Sequence, residues 1–171
     1  TDFAEVESDS RRVNLTRFPT RFPERRDFFL EGSGIFSFAP RSGPQPFFSR
    51  QIGLKSGQQV PIDYGTRVTG QVGAYEVGLY QIGTGEQTFF DESYGDTTVP
   101  TERFTAARVK RRIFEQSSIG AIYTRRATSP DASGFMPEAG HTAGVDLQMA
   151  SRHFMGNNNA ELEAFAVWNS N

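Results

Sequence analysis

The first third of the chain brings seven charged residues of alternating sign together: Arg21, Glu24, Arg25, Arg26, Asp27 and Glu31, with Arg50 a short distance on. Guanidinium and carboxylate groups so interleaved form charge-assisted, often bidentate hydrogen bonds. A compact network of this kind orders a stretch of chain that has no regular structure, or serves as a latch, a gate or a ligand contact. The residues around it, Phe22, Pro23, Phe28, Phe29, Leu30 and Gly32, supply the apolar and turn-forming material such a network would hold.

Other constellations carry less. Glu24, Glu31, Asp91, Glu92, Glu161 and Glu163 offer pairs of carboxyls of the sort that flank a glycosidic bond during hydrolysis, but a chain with 20 acids offers such pairs by composition alone. His141 and His153 are the only histidines, and with no cysteine they make at best half a zinc site. DESYGDTT resembles a cation loop in composition but lacks the alternate spacing of an EF-hand. The motifs GxSxG, HExxH and GxxxxGK[ST] do not occur. No catalytic residue, metal ligand or cofactor is assigned.

What must position the charged cluster is a β framework. No segment sustains apolar residues at helical spacing, and the 17 glycines interrupt every candidate helix. From about Val60 the chain alternates. Tyr64, Thr66, Val68, Gly70 and Val72 share one face and Arg67, Thr69 and Gln71 the other, with a tight bend expected at Gly73-Ala74. GTGEQTFFDESYGDTTVPTE then reads as a long polar loop, and ERFTAARVKRRIF joins SSIGAIYTRR through Glu115-Gln116. After the loop SPDASGFMPEAGH, TAGVDLQMA and ELEAFAVW flank the turn signal GNNN. Their apolar stripes are Ala143, Val145, Leu147, Met149 and Leu162, Ala164, Ala166, Trp168.

The opposite faces carry Arg67, Arg108, Lys110, Asp146, Glu161 and Glu163. Periodicity alone leaves two readings open, a soluble sandwich with the apolar stripes in its core and a barrel with those stripes facing lipid. Tyr64, Tyr75, Tyr80, Tyr94, Tyr123 and Trp168 do not all read as core, and several fall near strand ends, where an interfacial girdle would sit. The alternative for them is a sugar-stacking platform.

Composition narrows the classes. The apolar runs are only a few residues long, too short for a membrane-spanning helix, so any crossing must be by strands. A net charge of −2 and a pI near 5.7 argue against nucleic acid as a partner. Absence of cysteine excludes a disulfide scaffold. Lysine occurs only at Lys55 and Lys110 while arginine is abundant, a bias that suits enclosed ion pairs. The chain opens at Thr1 without a basic or apolar leader and stops at Asn171 directly after ELEAFAVW, and so reads as a fragment of a longer protein.

The string VNLTRFPTRFPERRDFFLEG, followed by FFSRQIG and GTRVTGQVGAYEVGLYQIGTGE, resembles a bacterial outer-membrane β-barrel family of uncharacterised function, usually found C-terminal to a family 9 carbohydrate-binding module. RVKRRIFEQSSIGAIYTRR and HTAGVDLQMASR resemble its next strands. Asp27 stands where that family often has Pro, and Gln51 where it often has a second Arg.

The resemblance implies an all-β antiparallel meander, an open fragment of a transmembrane β-barrel. Residues 1–59 would form an N-terminal strand plus an irregular Pro-, Phe- and Arg-rich plug- or wall-like segment, and residues 60–171 the hairpins of the wall. It implies a non-enzymatic role in the bacterial outer membrane, with lipid as partner and glycan only through a module outside this chain. A secreted carbohydrate-binding sandwich and the β-domain of a glycoside hydrolase are the alternatives.

Overall fold

A computed structural model describes residues 23–41, 43–55, 58–91, 95–130, 134, 139–156 and 158–170. The strand expected within TDFAEVESDSRRVNL, most of SPDASGFMPEAGH, and Arg21, Phe22, Glu92 and Tyr94 lie outside them. The chain is mostly antiparallel β-structure. Before the main sheet come one helical turn, α1 (Asp27–Leu30), 3-10 turns at Ser33–Phe36 and Ser49–Gln51, and a minimal hairpin of β1 (Leu54–Lys55) and β2 (Gln58–Gln59). The Pro- and Gly-rich composition explains why this segment has no longer element.

The alternating segments form the strands β3 (Ile62–Val72), β4 (Tyr75–Thr84), β7 (Glu102–Phe114), β8 (Ser117–Thr128), β9 (Gly140–Phe154) and β10 (Asn158–Ser170). They pair in the order β3-β4-β7-β8-β9-β10, an open meander in which β3 and β10 each have one neighbour. Tight turns at Gly73-Ala74, Glu115-Gln116 and Met155-Gly156 lie at one end of the sheet, and the longer connections leave from the other. Gly73 (φ +59°) and Gly156 (φ +106°) occupy left-handed backbone that a hairpin needs and a side chain resists.

One expectation fails. The stretch read as a long polar loop after β4 contains a two-stranded hairpin of β5 (Gln87–Asp91) and β6 (Gly95–Val99), in which Thr88 and Thr98 share a hydrogen bond of 2.9 Å. Its threonines and phenylalanines favour strands, and the turn-prone residues between them concealed that preference.

The two faces of the main sheet differ sharply. Cross-strand pairing aligns Val68, Leu79, Ala107, Tyr123, Ala143 and Trp168 in one row, and Gly70, Val77, Val109, Ala121, Val145 and Ala166 in the next. No described residue packs a second layer on these rows, and Val145 (53%), Leu162 (58%) and Trp168 (62%) are largely exposed. The other face carries Arg67, Arg108 and Asp146, and residues 28–52 pack against it. Phe29, Phe36, Ile52, Tyr80, Ile82 and Ala106 form its main buried cluster. The core therefore sits on the side that also holds Arg67, Arg108 and Asp146.

Candidate functional site

Glycines on the covered face decide how the irregular segment seats. A Cβ on Gly78 would fall 2.7 Å from the ring of Phe36, one on Gly144 2.9 Å from Phe38, and one on Gly65 3.1 Å from Phe28. Each missing side chain leaves a slot for an aromatic ring. Tyr80, between these slots on β4, gathers the rings. Its centroid lies 4.7 Å from Phe36, 5.3 Å from Phe47, 5.8 Å from Phe29 and 5.9 Å from Phe28. Contacts of this kind contribute roughly 0.5–1.5 kcal/mol each beyond area burial.

Turn hydrogen bonds satisfy the carbonyls of Arg26, Asp27, Gly32, Gly34 and Ala39, and other carbonyls of the segment take side-chain donors from the arginines. Three arginines supply the donors, each with one carboxylate. Arg26 meets Glu24 through Nε (2.8 Å) and Nη2 (2.7 Å), and donates to the carbonyls of Ile52 (2.8 Å) and Ser49 (2.6 Å). Arg67, from β3, pairs with Glu31 and donates to the carbonyls of Phe28 (2.7 Å) and Glu31 (3.0 Å) at the end of α1.

Arg108, from β7, holds Asp146 of β9 with Nη1 at 2.6 Å and Nη2 at 2.9 Å. It also donates to the carbonyls of Ser37 (3.0 Å) and Ile35 (3.3 Å). Asp146 in turn accepts the Ala39 N–H at 3.4 Å. A planar guanidinium with five donors suits this double duty, and an ammonium does not.

The Arg108–Asp146 pair is the most enclosed of the three, with side chains 0% and 3% exposed. It spans an intervening strand. Gly120 of β8 stands between them, and a Cβ there would meet Arg108 Nη1 at 2.7 Å, so the guanidinium lies across β8 only because that position is bare. Farther along, Arg41 pairs with Glu161 on β10, which ties the far end of the segment to the sheet edge.

The residues singled out from sequence divide accordingly. Glu24, Arg26, Phe28, Phe29, Glu31, Gly32 and Arg50 belong to the packed segment. Phe29, Arg26 and Arg50 are buried, and Gly32 (φ +71°) turns tightly against Thr69. Pro23, Arg25 and Leu30 are exposed, as is Asp27. Glu24 pairs with Arg26, and Glu31 with Arg67. Arg67, Arg108 and Asp146 were visible in the sequence as polar-face residues, but their partnership with the segment was not. Gly65, Gly78, Gly120 and Gly144, which lie on the same face, were the available signal.

Burial alone would push the Glu24 carboxyl up, but hydrogen bonds from Arg26 and the Ser49 hydroxyl (2.6 Å), with the Arg26 charge, outweigh it and hold it at about 2. It is a carboxylate at any ordinary pH, the wrong state for a general acid. Among the described residues no group of three or more His, Asp or Glu is placed to hold a metal ion. Beside the segment opens a cavity of about 740 Å³, bounded by Phe29, Phe36, Phe47 and Tyr80 with Glu24 and Gln45.

Residues 1–72 match a domain of unknown function (DUF5916). The matched stretch takes in the whole segment and ends with β3, so it includes the Arg26 and Arg67 clamps and stops short of Arg108 and Asp146. No curated protein and no solved structure matches the chain.

Proposed function

We propose that this chain is part of the wall of a bacterial outer-membrane β-barrel, with residues 23–53 held as a fixed element on its lumen side. The observation that carries the reading is the open face, where apolar rows run across six strands with Val145, Leu162 and Trp168 largely exposed, while the enclosed Arg108–Asp146 pair lies on the opposite face beneath residues 35–39. Water-soluble sheets bury the apolar face. A sheet in lipid does the reverse, since hydrocarbon covers the apolar rows and the lumen accepts charge.

The dimensions agree. On β9 the open-face stripe is bracketed by His141 and Ser151, ten residues apart. That is roughly 34 Å of strand, or roughly 26 Å of height at a tilt of about 40°, near the ~25 Å of a barrel's apolar band. Tight turns at one end and longer connections at the other follow the same pattern. No helix among the described residues is long and apolar enough to cross a membrane, which bears only on helices. A closed wall needs at least about eight strands, so further strands would pair with the open edges of β3 and β10.

The role that follows is architectural or in uptake rather than catalytic, because Glu24 and Glu31 are each taken up by an arginine. Any glycan would be met through a module outside this chain. The chain has no cysteine, so single cysteines placed in it are read against the parent protein without them. In the parent protein, in isolated outer membranes, cysteines at Val109, Val145 and Leu162 should resist a water-soluble maleimide, and one at Arg25 should react. Rapid labelling at all three open-face positions, or recovery of the parent in the soluble fraction, would refute the reading.

A further inference from the structure

On the open face, from positions 64 to 72, 75 to 83, 103 to 111, 119 to 127, 141 to 149 and 162 to 170, alternate residues include no aspartate and no glutamate. They do include cations, and these stand only at the borders of the apolar rows. At the end with the long connections the row above Trp168 and Tyr123 is polar from edge to edge: Thr66, Gln81, Thr105, Arg125, His141, Ser170. Arg103 lies one row beyond, diagonal to Arg125.

Arg125 stands directly opposite His141, and Arg103 is paired with Ala127, two residues from Arg125 on the neighbouring strand. Strand geometry puts diagonal neighbours roughly 7–8 Å apart and direct ones roughly 5 Å apart. Like charges so placed repel unless an anion lies between them. Arg103 and Arg125 are both exposed, and the ion pairs of the described residues include neither. The carboxylate of Glu102 is turned to the covered face, where it pairs with Arg126. The Tyr123 hydroxyl lies 2.7 Å from His141 Nδ1, which fixes the ring and leaves Nε2 for another partner.

We propose that Arg103, Arg125 and His141 form a site for the phosphate of an anionic lipid headgroup, at the border of the apolar belt on the side of the long connections. This rests on the barrel reading, which supplies the bilayer that brings the headgroup to that height. Arginine matches phosphate bidentately, and Tyr123 and Trp168 just below would lie at the acyl-headgroup boundary. The side with long connections is the external one in outer-membrane barrels, so the site addresses the outer leaflet.

The test uses the intact parent protein, purified in neutral detergent and stripped of lipid. Native mass spectrometry follows titration with phosphatidic acid, with phosphatidylcholine of the same acyl chains, and with inorganic phosphate. A preference for phosphatidic acid of about 10- to 30-fold is expected from two basic contacts near the membrane surface.

The double variant R103Q/R125Q should lose that preference, R103K/R125K should keep most of it, and R112Q, on the covered face, should not change it. Should the glutamine variant fail to fold, H141Q alone should reduce the preference several-fold. An unchanged preference in R103Q/R125Q overturns the proposal while leaving a correctly inserted barrel standing. Equal occupancy by inorganic phosphate overturns it in favour of a free-anion site. A parent that does not insert in membranes removes the barrel reading itself.

Discussion

Replacing Asp146 by Asn tests whether the irregular segment is held by the enclosed pair or only leans on the sheet. The substitution keeps the size of the side chain and removes its charge, which leaves Arg108, with a side chain 0% exposed, as a buried guanidinium without a counter-charge. Removing one partner of such a pair costs about 3–5 kcal/mol. Arg108 keeps its bonds to the Ile35 and Ser37 carbonyls, so the low end, about 3 kcal/mol, is expected, a factor of roughly 150 in the population of the released segment.

Hydrogen exchange by mass spectrometry on the peptide 33–41 reads that population, because exchange of a locally opened stretch tracks its opening free energy. The double variant R108M/D146L sharpens the result. If the pair only balances its own charges, exchange returns to the wild-type rate. Because two part-buried carbonyls lose their donor, exchange should instead stay about ten-fold faster, about 1.4 kcal/mol. Exchange in D146N within three-fold of wild type would refute the clamp as a source of order.

Gly120→Ala should act like D146N, since its Cβ would fall 2.7 Å from Arg108 Nη1, whereas Gly70→Ala, with nothing within 4 Å of its added Cβ, should leave peptide 33–41 unchanged. The Glu24 carboxyl, at about 2 against an ordinary 4.5, contributes stability that is full above about pH 4.5 and is lost as pH falls toward 2. The protection of residues 23–31, compared with E24Q at each pH, should therefore fall across that window, and a flat ratio would contradict it. Val145→Arg, on the open face, should weaken membrane insertion of the parent protein by about 2–4 kcal/mol near mid-bilayer, measured by urea titration in vesicles with Trp168 as reporter against a W168F control. The same Trp168 should be quenched by brominated acyl chains.

The strands were legible because their pattern is local. Val68 to Val72, or Ala143 to Met149, alternate on their own, and the turns at Gly73-Ala74 and Glu115-Gln116 carry their own signals. The covered side was not legible. Nothing near Arg108 in the sequence says that its partner is 38 residues on or that it reaches carbonyls more than 70 residues back. Charge alternation around Arg26 did not show that Glu31 meets Arg67 of β3, 36 residues on. Tyr80 illustrates the same limit. By type it belonged with the girdle tyrosines, but its even position on β4 turns it toward the phenylalanines, while Tyr64, Tyr75 and Tyr123 face the open side.

The glycine slot beneath Arg108 also bears on assembly. If β7 slid by one residue against its neighbours, Arg108 and Lys110 would turn to the apolar side and Val109 would be driven under Phe36. In the proposed barrel wall each misplaced cation would meet hydrocarbon, at about 2–4 kcal/mol near the midplane, and Asp146 would be left buried alone. The pair thus depends on strand alignment: the observed pairing brings Arg108, a bare position on β8 and Asp146 into line, and residues 35–39 seat on that arrangement.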